Sequence, residues 1–225
     1  MKSRLLILIF CFLPIIGHAE NLPAGSSSDG FLDADLIFQL DGNSDFSRAI
    51  TDATGNDEGL NFIHVGILRN SPEGYEVIEA SPEAGVVVTP LEDFIKASVI
   101  VDGHPGIVVK RLDMDFPRES VVENALKYLG QPYDWWYLPD NGKMYCSELV
   151  YESFVDFSGE KIFQTVPMNF KASDGSYPEF WERLFEEIDQ EIPQGIPGTN
   201  PNQIASHPAL VSLQLDSLQK VLNPQ

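Results

Sequence analysis

Cysteine is scarce in this chain of 225 residues, which carries only Cys11 and Cys146. Basic residues are scarce too, with 14 Lys and Arg against 34 Asp and Glu, for a formal charge of -20. A surface of that sign repels polyanions, which argues against nucleic acid as a partner and makes an anionic lipid surface a poor one. Long apolar runs are missing beyond the N-terminus. No later stretch approaches the roughly 18 to 20 apolar residues of a spanning helix, so no transmembrane anchor is expected. No Cys/His cluster has zinc-binding spacing. Residues 41 to 45, DGNSD, resemble the opening of a calcium loop with Asp52 at its twelfth place, but Phe46 stands where that loop requires Gly. Neither a metal nor a cofactor is expected.

What is present begins with a targeting pattern. Residues 1–19 carry basic Lys2 and Arg4, an apolar run from Leu5 to Ile16, and Gly17-His18-Ala19 before Glu20. This is the form of a secretory signal with a small-x-small cleavage site, and the expected location is periplasmic or secreted. Phe10 precedes Cys11 where a lipid-attachment signal needs a small residue, which argues against a lipoprotein. Removal of the signal leaves about 206 residues, enough for one domain. It also leaves Cys146 as the lone thiol, with no intramolecular disulfide partner. Such a thiol is either buried and inert or retained for chemistry.

Along the chain, DLIFQL from Asp35 reads as a strand, and Ser44 and Asp45 cap a short helix stopped by Gly55. A series of β-rich runs follows: FIHVGIL from Phe62, YEVIEA from Tyr75, GVVVT from Gly85, SVIV from Ser98 and GIVVKRL from Gly106. Their short connections favour hairpins and an antiparallel sheet. The period then changes, with Val121, Val122, Ala125, Leu126 and Leu129 on one helix face that ends at Gly130. A second helix is expected near Cys146, its apolar stripe running through Leu149, Val150, Phe154 and Phe157. The fold class is α+β. One domain is expected over 30–190, followed by a Pro/Gly-rich extension, 191–225, that wraps the surface.

Cys146 in the first turn of its helix would face free backbone amides, which favour a thiolate and can hold an oxyanion. A buried structural cysteine is the bland reading of the same residue. His64 lies inside a strand pattern in which Phe62, His64, Gly66 and Leu68 share one face, whereas His104 and His207 sit beside prolines in loop-like contexts. Glu79 is the candidate to orient the imidazole. If the hairpin turns at Ser71-Pro72, Glu79 faces His64 directly, and a turn one residue later leaves them diagonal on the same face. A three-residue loop with Gly74 left-handed would put them on opposite faces. Tyr133, Trp135, Trp136 and Tyr137 form an aromatic group able to wall a substrate groove, with core packing as the alternative for at least one Trp.

These segments together resemble the NlpC-type papain-like superfamily, in its circularly permuted branch of YiiX and YebB-like amidases. The resemblance is carried by ADLIFQ at 34–39, HVGIL at 64–68, VIEA at 77–80, LGQPYDW at 129–135 and YCSELVYESF at 145–154. The base strand comes before the nucleophile helix, the reverse of ordinary papain-like order. The resemblance implies Cys146 as nucleophile, His64 as base, Glu79 as orienting group and Tyr133 as a tyrosine assisting the oxyanion. It also implies a small antiparallel sheet packed against the nucleophile helix. Ala34 departs from the pattern, which has Gly there.

The reading that follows is an exported cysteine hydrolase or acyltransferase acting on an amide or ester acyl group, with a small peptide, amide or acyl-lipid substrate. The aromatic group tilts this toward an apolar or acyl-bearing substrate. The competing readings are a catalytically silent papain-like binding module and a structural envelope protein. Oligomeric state is left open by the sequence.

Overall fold

A computed structural model describes residues 30–42, 44–55 and 60–213. The expected signal, 1–19, and the end of the extension lie outside them. Strand β1 (Leu36–Leu40) leads to helix α1 (Asp45–Thr54), whose opening is capped by the Ser44 hydroxyl accepting from Ser47 N. Then come β2 (Phe62–Ser71), β3 (Gly74–Ser81), β4 (Gly85–Pro90) and the short helix α2 (Leu91–Lys96). A separate two-stranded hairpin, β5 (Ile100–Val101) and β6 (His104–Pro105), precedes β7 (Ile107–Leu112). Helices α3 (Arg118–Leu126) and α4 (Cys146–Ser153) follow, then β8 (Val166–Pro167), α5 (Glu179–Glu187), β9 (Pro197–Gly198), α6 (Pro201–Ala205) and β10 (Leu210–Ser212).

Six strands form one antiparallel sheet in the order β10-β7-β1-β2-β3-β4. Alternation splits each strand between two apolar layers. Leu36 and Phe38 of β1 join Val65, Ile67 and Ile78 in the larger core, which α4, α3 and α6 close. Ile37, Leu68 and Val77 face the other way, onto Leu91, Phe94 and Ile95 of α2. The α+β class and the Cys146-bearing helix against an antiparallel sheet are as the sequence led us to expect.

Four local expectations differ from the structure. Phe62 does not share a face with His64: β2 opposes Gln39 with His64 but Leu40 with Phe62, so Ile63 is an extra residue, a β-bulge. The bulge turns Phe62 into the larger core against Phe38, with ring centroids 5.0 Å apart. The SVIV run gives no strand of the main sheet; its last two residues form β5 of the exposed β5–β6 hairpin, turned by Asp102 and Gly103 at φ 50 and 80, with Ile100 68% exposed. Helix α3 ends before Leu129, and α4 ends before Phe157, which is 70% exposed. At that point the chain turns around Asp156, whose carboxylate accepts from Ser158 N and Glu160 N.

The segment after 190 also does more than wrap a surface. Ile204 and Ala205 of α6 are buried in the larger core, and β10 adds an edge strand to the sheet beside β7. A Pro- and Gly-rich stretch enters a core when its few apolar residues are spaced to do so. Here Asn200 caps α6, accepting from Gln203 N at 2.8 Å, and Pro201 sits at the first helical position.

Candidate active site

Cys146 is the first residue of α4 and is only 5% exposed. The first intrahelical bond runs from Leu149 N to Tyr145 O, so the amides of Cys146 to Glu148 are those a helix start leaves without a partner in the turn. Glu148 reaches back to accept from Tyr145 N at 3.4 Å, which fixes the turn that carries the sulfur. Burial and the nearby Asp134 charge push the Glu148 carboxyl up to about 8.

His64 enters from β2, one residue past the bulge. The β2–β3 ladder runs from Ser71↔Gly74 to Ile67↔Ile78, around a two-residue turn at Pro72-Glu73. That is the later of the turns considered from the sequence, and its count places Glu79 diagonal to His64 on one face. His64 Nε2 and Glu79 Oε2 lie 2.6 Å apart. Gly66, two residues past His64, lets β3 pack closely here, because a Cβ there would come within 2.3 Å of Val77 Cγ1. The Phe94 ring lies against the imidazole at 5.7 Å between centroids.

The electrostatics tie the three groups together. Burial alone would pull the His64 imidazole down, but hydrogen bonding to Cys146 and Glu79, with their charges, raises it to about 10. Burial would push the Glu79 carboxyl up, whereas the His64 contact and the Thr89 hydroxyl, donating to Oε1 at 2.5 Å, hold it below its ordinary value. The imidazole is therefore held as a cation between the sulfur and the carboxylate, and Glu79 fixes its orientation.

A mostly apolar cleft opens on Cys146, lined among others by Tyr133, Tyr137, Met168, Trp181 and Thr199. A more polar hollow lies where His64, Glu79 and Thr89 meet Glu83 and Asp93. The two share Ile63, the bulged residue. Of the aromatic group, Tyr133 and Tyr137 wall the apolar cavity. Trp135 packs on Tyr133 and Phe46, and Trp136 lies under the Lys143 ammonium.

The structure thus brings Cys146, His64, Glu79 and Tyr133 to one place, and adds residues that sequence reasoning did not find. Thr89 was accessible from strand parity, since the β3–β4 ladder pairs Val77 with Thr89 and Glu79 with Val87, placing Thr89 on the Glu79 face. Thr199 and Asn200 had no local signal. They reach the cavity because the chain returns over the start of α4, where Thr199 Oγ1 donates to Ser147 Oγ at 3.1 Å and Thr199 N to the Tyr145 hydroxyl at 3.1 Å. Among the described residues, no group of three or more His, Cys, Asp or Glu is placed to hold a metal ion.

Comparison with known proteins bears on the fold and the family. The uncharacterized protein YiiX of Escherichia coli K12 is 28% identical over 217 residues, covering 95% of this chain and 96% of that protein. A crystal structure titled as the metalloprotein yiiX from Escherichia coli O157:H7 superposes with a TM-score of 0.63 at 26% identity, covering 81% of this chain and 96% of that one. Residues 33–214 match the profile of the permuted papain-like amidases of the YaeF/YiiX type, the C92 family, and the chain belongs to that family.

Proposed function

We propose that this chain is an exported cysteine hydrolase or acyltransferase that takes an acyl group from an amide or ester through a thioester on Cys146. The observation that carries the reading is the sequence of contacts from Thr89 and Glu79 through His64 to Cys146, ending at an apolar cleft beside the sulfur. Cys146 Sγ attacks the carbonyl carbon, and the oxyanion that forms accepts from the Cys146 amide and the Tyr133 hydroxyl. His64 gives its proton to the departing amine or alcohol. It then takes one from water, or from another acceptor, as the thioester is released.

The apolar aromatic lining supports a peptide, amide or acyl-lipid substrate whose acyl portion is apolar. The pattern of residues 1–19 supports export to a periplasmic or extracellular space. The test is intact-mass measurement after incubation with a panel of amides, esters and acylated lipids. One acyl group is expected on the protein, absent in Cys146→Ala. A protein that forms no adduct and releases no product, with Cys146 reacting no faster than a free model thiol, is a binding module instead.

A further inference from the structure

Tyr137 sits beside the Cys146 cavity in a conformation that the fold must impose. Its φ of 53 is left-handed, a region that a bulky L-residue enters only when its surroundings require it. The requirement comes from Asp134, a fully buried carboxylate that accepts from Trp136 N and Leu138 N, both at 2.9 Å. One side chain thereby clamps the amides on either side of Tyr137. The ring is fixed in turn by Tyr133, Tyr145, Phe170 and Trp181, at centroid distances of 6.5, 5.2, 5.7 and 5.7 Å.

All this ordering holds a buried hydroxyl whose contact with the Tyr133 hydroxyl falls short of good hydrogen-bond geometry. Beyond burial, which raises both phenols, that contact pushes Tyr133 up and Tyr137 down, so at rest Tyr133 leans its proton on Tyr137 and the Tyr137 proton has no acceptor. The hydroxyl of Tyr133 is its polar neighbour, and both phenols feel the Cys146 charge. Burial keeps both protonated, so each has a proton to donate. A donor held in place but unspent in the resting state is suited to an interaction that forms only as charge develops.

We infer that Tyr137 is a positioning residue, whose hydroxyl donates to the Tyr133 oxygen as the Tyr133 hydroxyl donates to the oxyanion formed at Cys146. Each donation strengthens the other, because a hydroxyl that is giving its proton away becomes a better acceptor. No covalent bond beyond those of acyl transfer is made or broken. The inference rests on the acyl-transfer reading and assigns a second layer to its oxyanion site.

The test compares the unmodified chain, Tyr133→Phe, Tyr137→Phe and the double variant, using p-nitrophenyl acetate as acyl donor and iodoacetamide as a probe of the thiol that forms no oxyanion. Tyr133→Phe is expected to slow acylation about 100-fold. Tyr137→Phe is expected to slow it roughly 5-fold to 10-fold with KM unchanged, and to cause no further loss in the Tyr133→Phe background. Alkylation by iodoacetamide should be the same in all four proteins. Since Tyr137→Phe keeps the ring and its packing, its thermal midpoint should stay close to that of the unmodified chain. The inference is overturned if Tyr137→Phe acylates normally, if its loss multiplies with that of Tyr133→Phe, or if alkylation falls in parallel. Failure of the unmodified chain to acylate at all overturns the acyl-transfer reading along with it.

Discussion

Ala34 adopts φ 61 while fully packed beneath β1, its amide donating to Leu68 O at 2.9 Å. A left-handed L-residue costs roughly 1–2 kcal/mol, and glycine removes that cost while adding freedom to the unfolded chain. Ala34→Gly is therefore expected to stabilise the protein by about 0.5 kcal/mol, a rise of about 1–2 °C in thermal midpoint, with activity unchanged. This backbone strain sits one residue before Asp35, which meets Arg111 and Arg118. Around the imidazole the costs concern chemistry. Glu79→Gln keeps the shape but removes the charge that helps hold the proton, and should slow acylation by about 100-fold or more. Thr89→Val removes only the hydroxyl that donates to the other Glu79 oxygen and should cost about 10-fold at most, with the same substrates and the same assay as readout.

The helix α4 and the β2–β3 hairpin carry the site, and they differ in how much of their geometry the sequence disclosed. Strand alternation put His64 and Glu79 within reach of each other, because parity survives a shift of the turn by one residue at both ends of the count. It could not foresee the bulge at Ile63, since a bulge is an extra residue opposite a partner strand and leaves no mark in local composition. Helix periodicity likewise overran at Leu129 and Phe157, where apolar residues sit in phase beyond helices that had already ended. In α4 the carboxyl of Glu148, raised to about 8, makes a specific prediction. A carboxyl raised in the fold supplies stability that is complete below its unfolded value near 4.5 and is lost as pH rises through about 8. Glu148→Gln should therefore lose less thermal stability than the unmodified chain between pH 5 and 9. His64 adds its own alkaline loss in both proteins, present in full below 6.5 and gone above about 10, so the difference between them isolates Glu148.

At the scale of the molecule, the reversed order of strand and helix leaves the last part of the chain to finish the structure. Residues 197–212 supply β9, α6 and β10, bury Ile204 and Leu210, and place Thr199 and Asn200 on the cavity. Their small number of apolar residues explains why sequence pattern assigned them to an extension: tertiary contacts, not periodicity, hold them. Burying Ile204 and Leu210 contributes roughly 3–6 kcal/mol, a large part of a typical domain's net stability. A chain ended after residue 195 is expected to unfold at markedly lower denaturant concentration, or not to fold cooperatively, which urea titration measures directly.

The central claim is that one imidazole is shared between a sulfur and a carboxylate in a buried site, and His64 itself reports on it. Titration of the isotopically labelled imidazole by NMR should show His64 protonated through pH 9 in the unmodified chain, with its midpoint near 10. Burial should then pull the midpoint down in both Cys146→Ala and Glu79→Gln, since each loses one of the two groups that raise it. A midpoint near the ordinary 6.5 in the unmodified chain, indifferent to either substitution, would contradict the account.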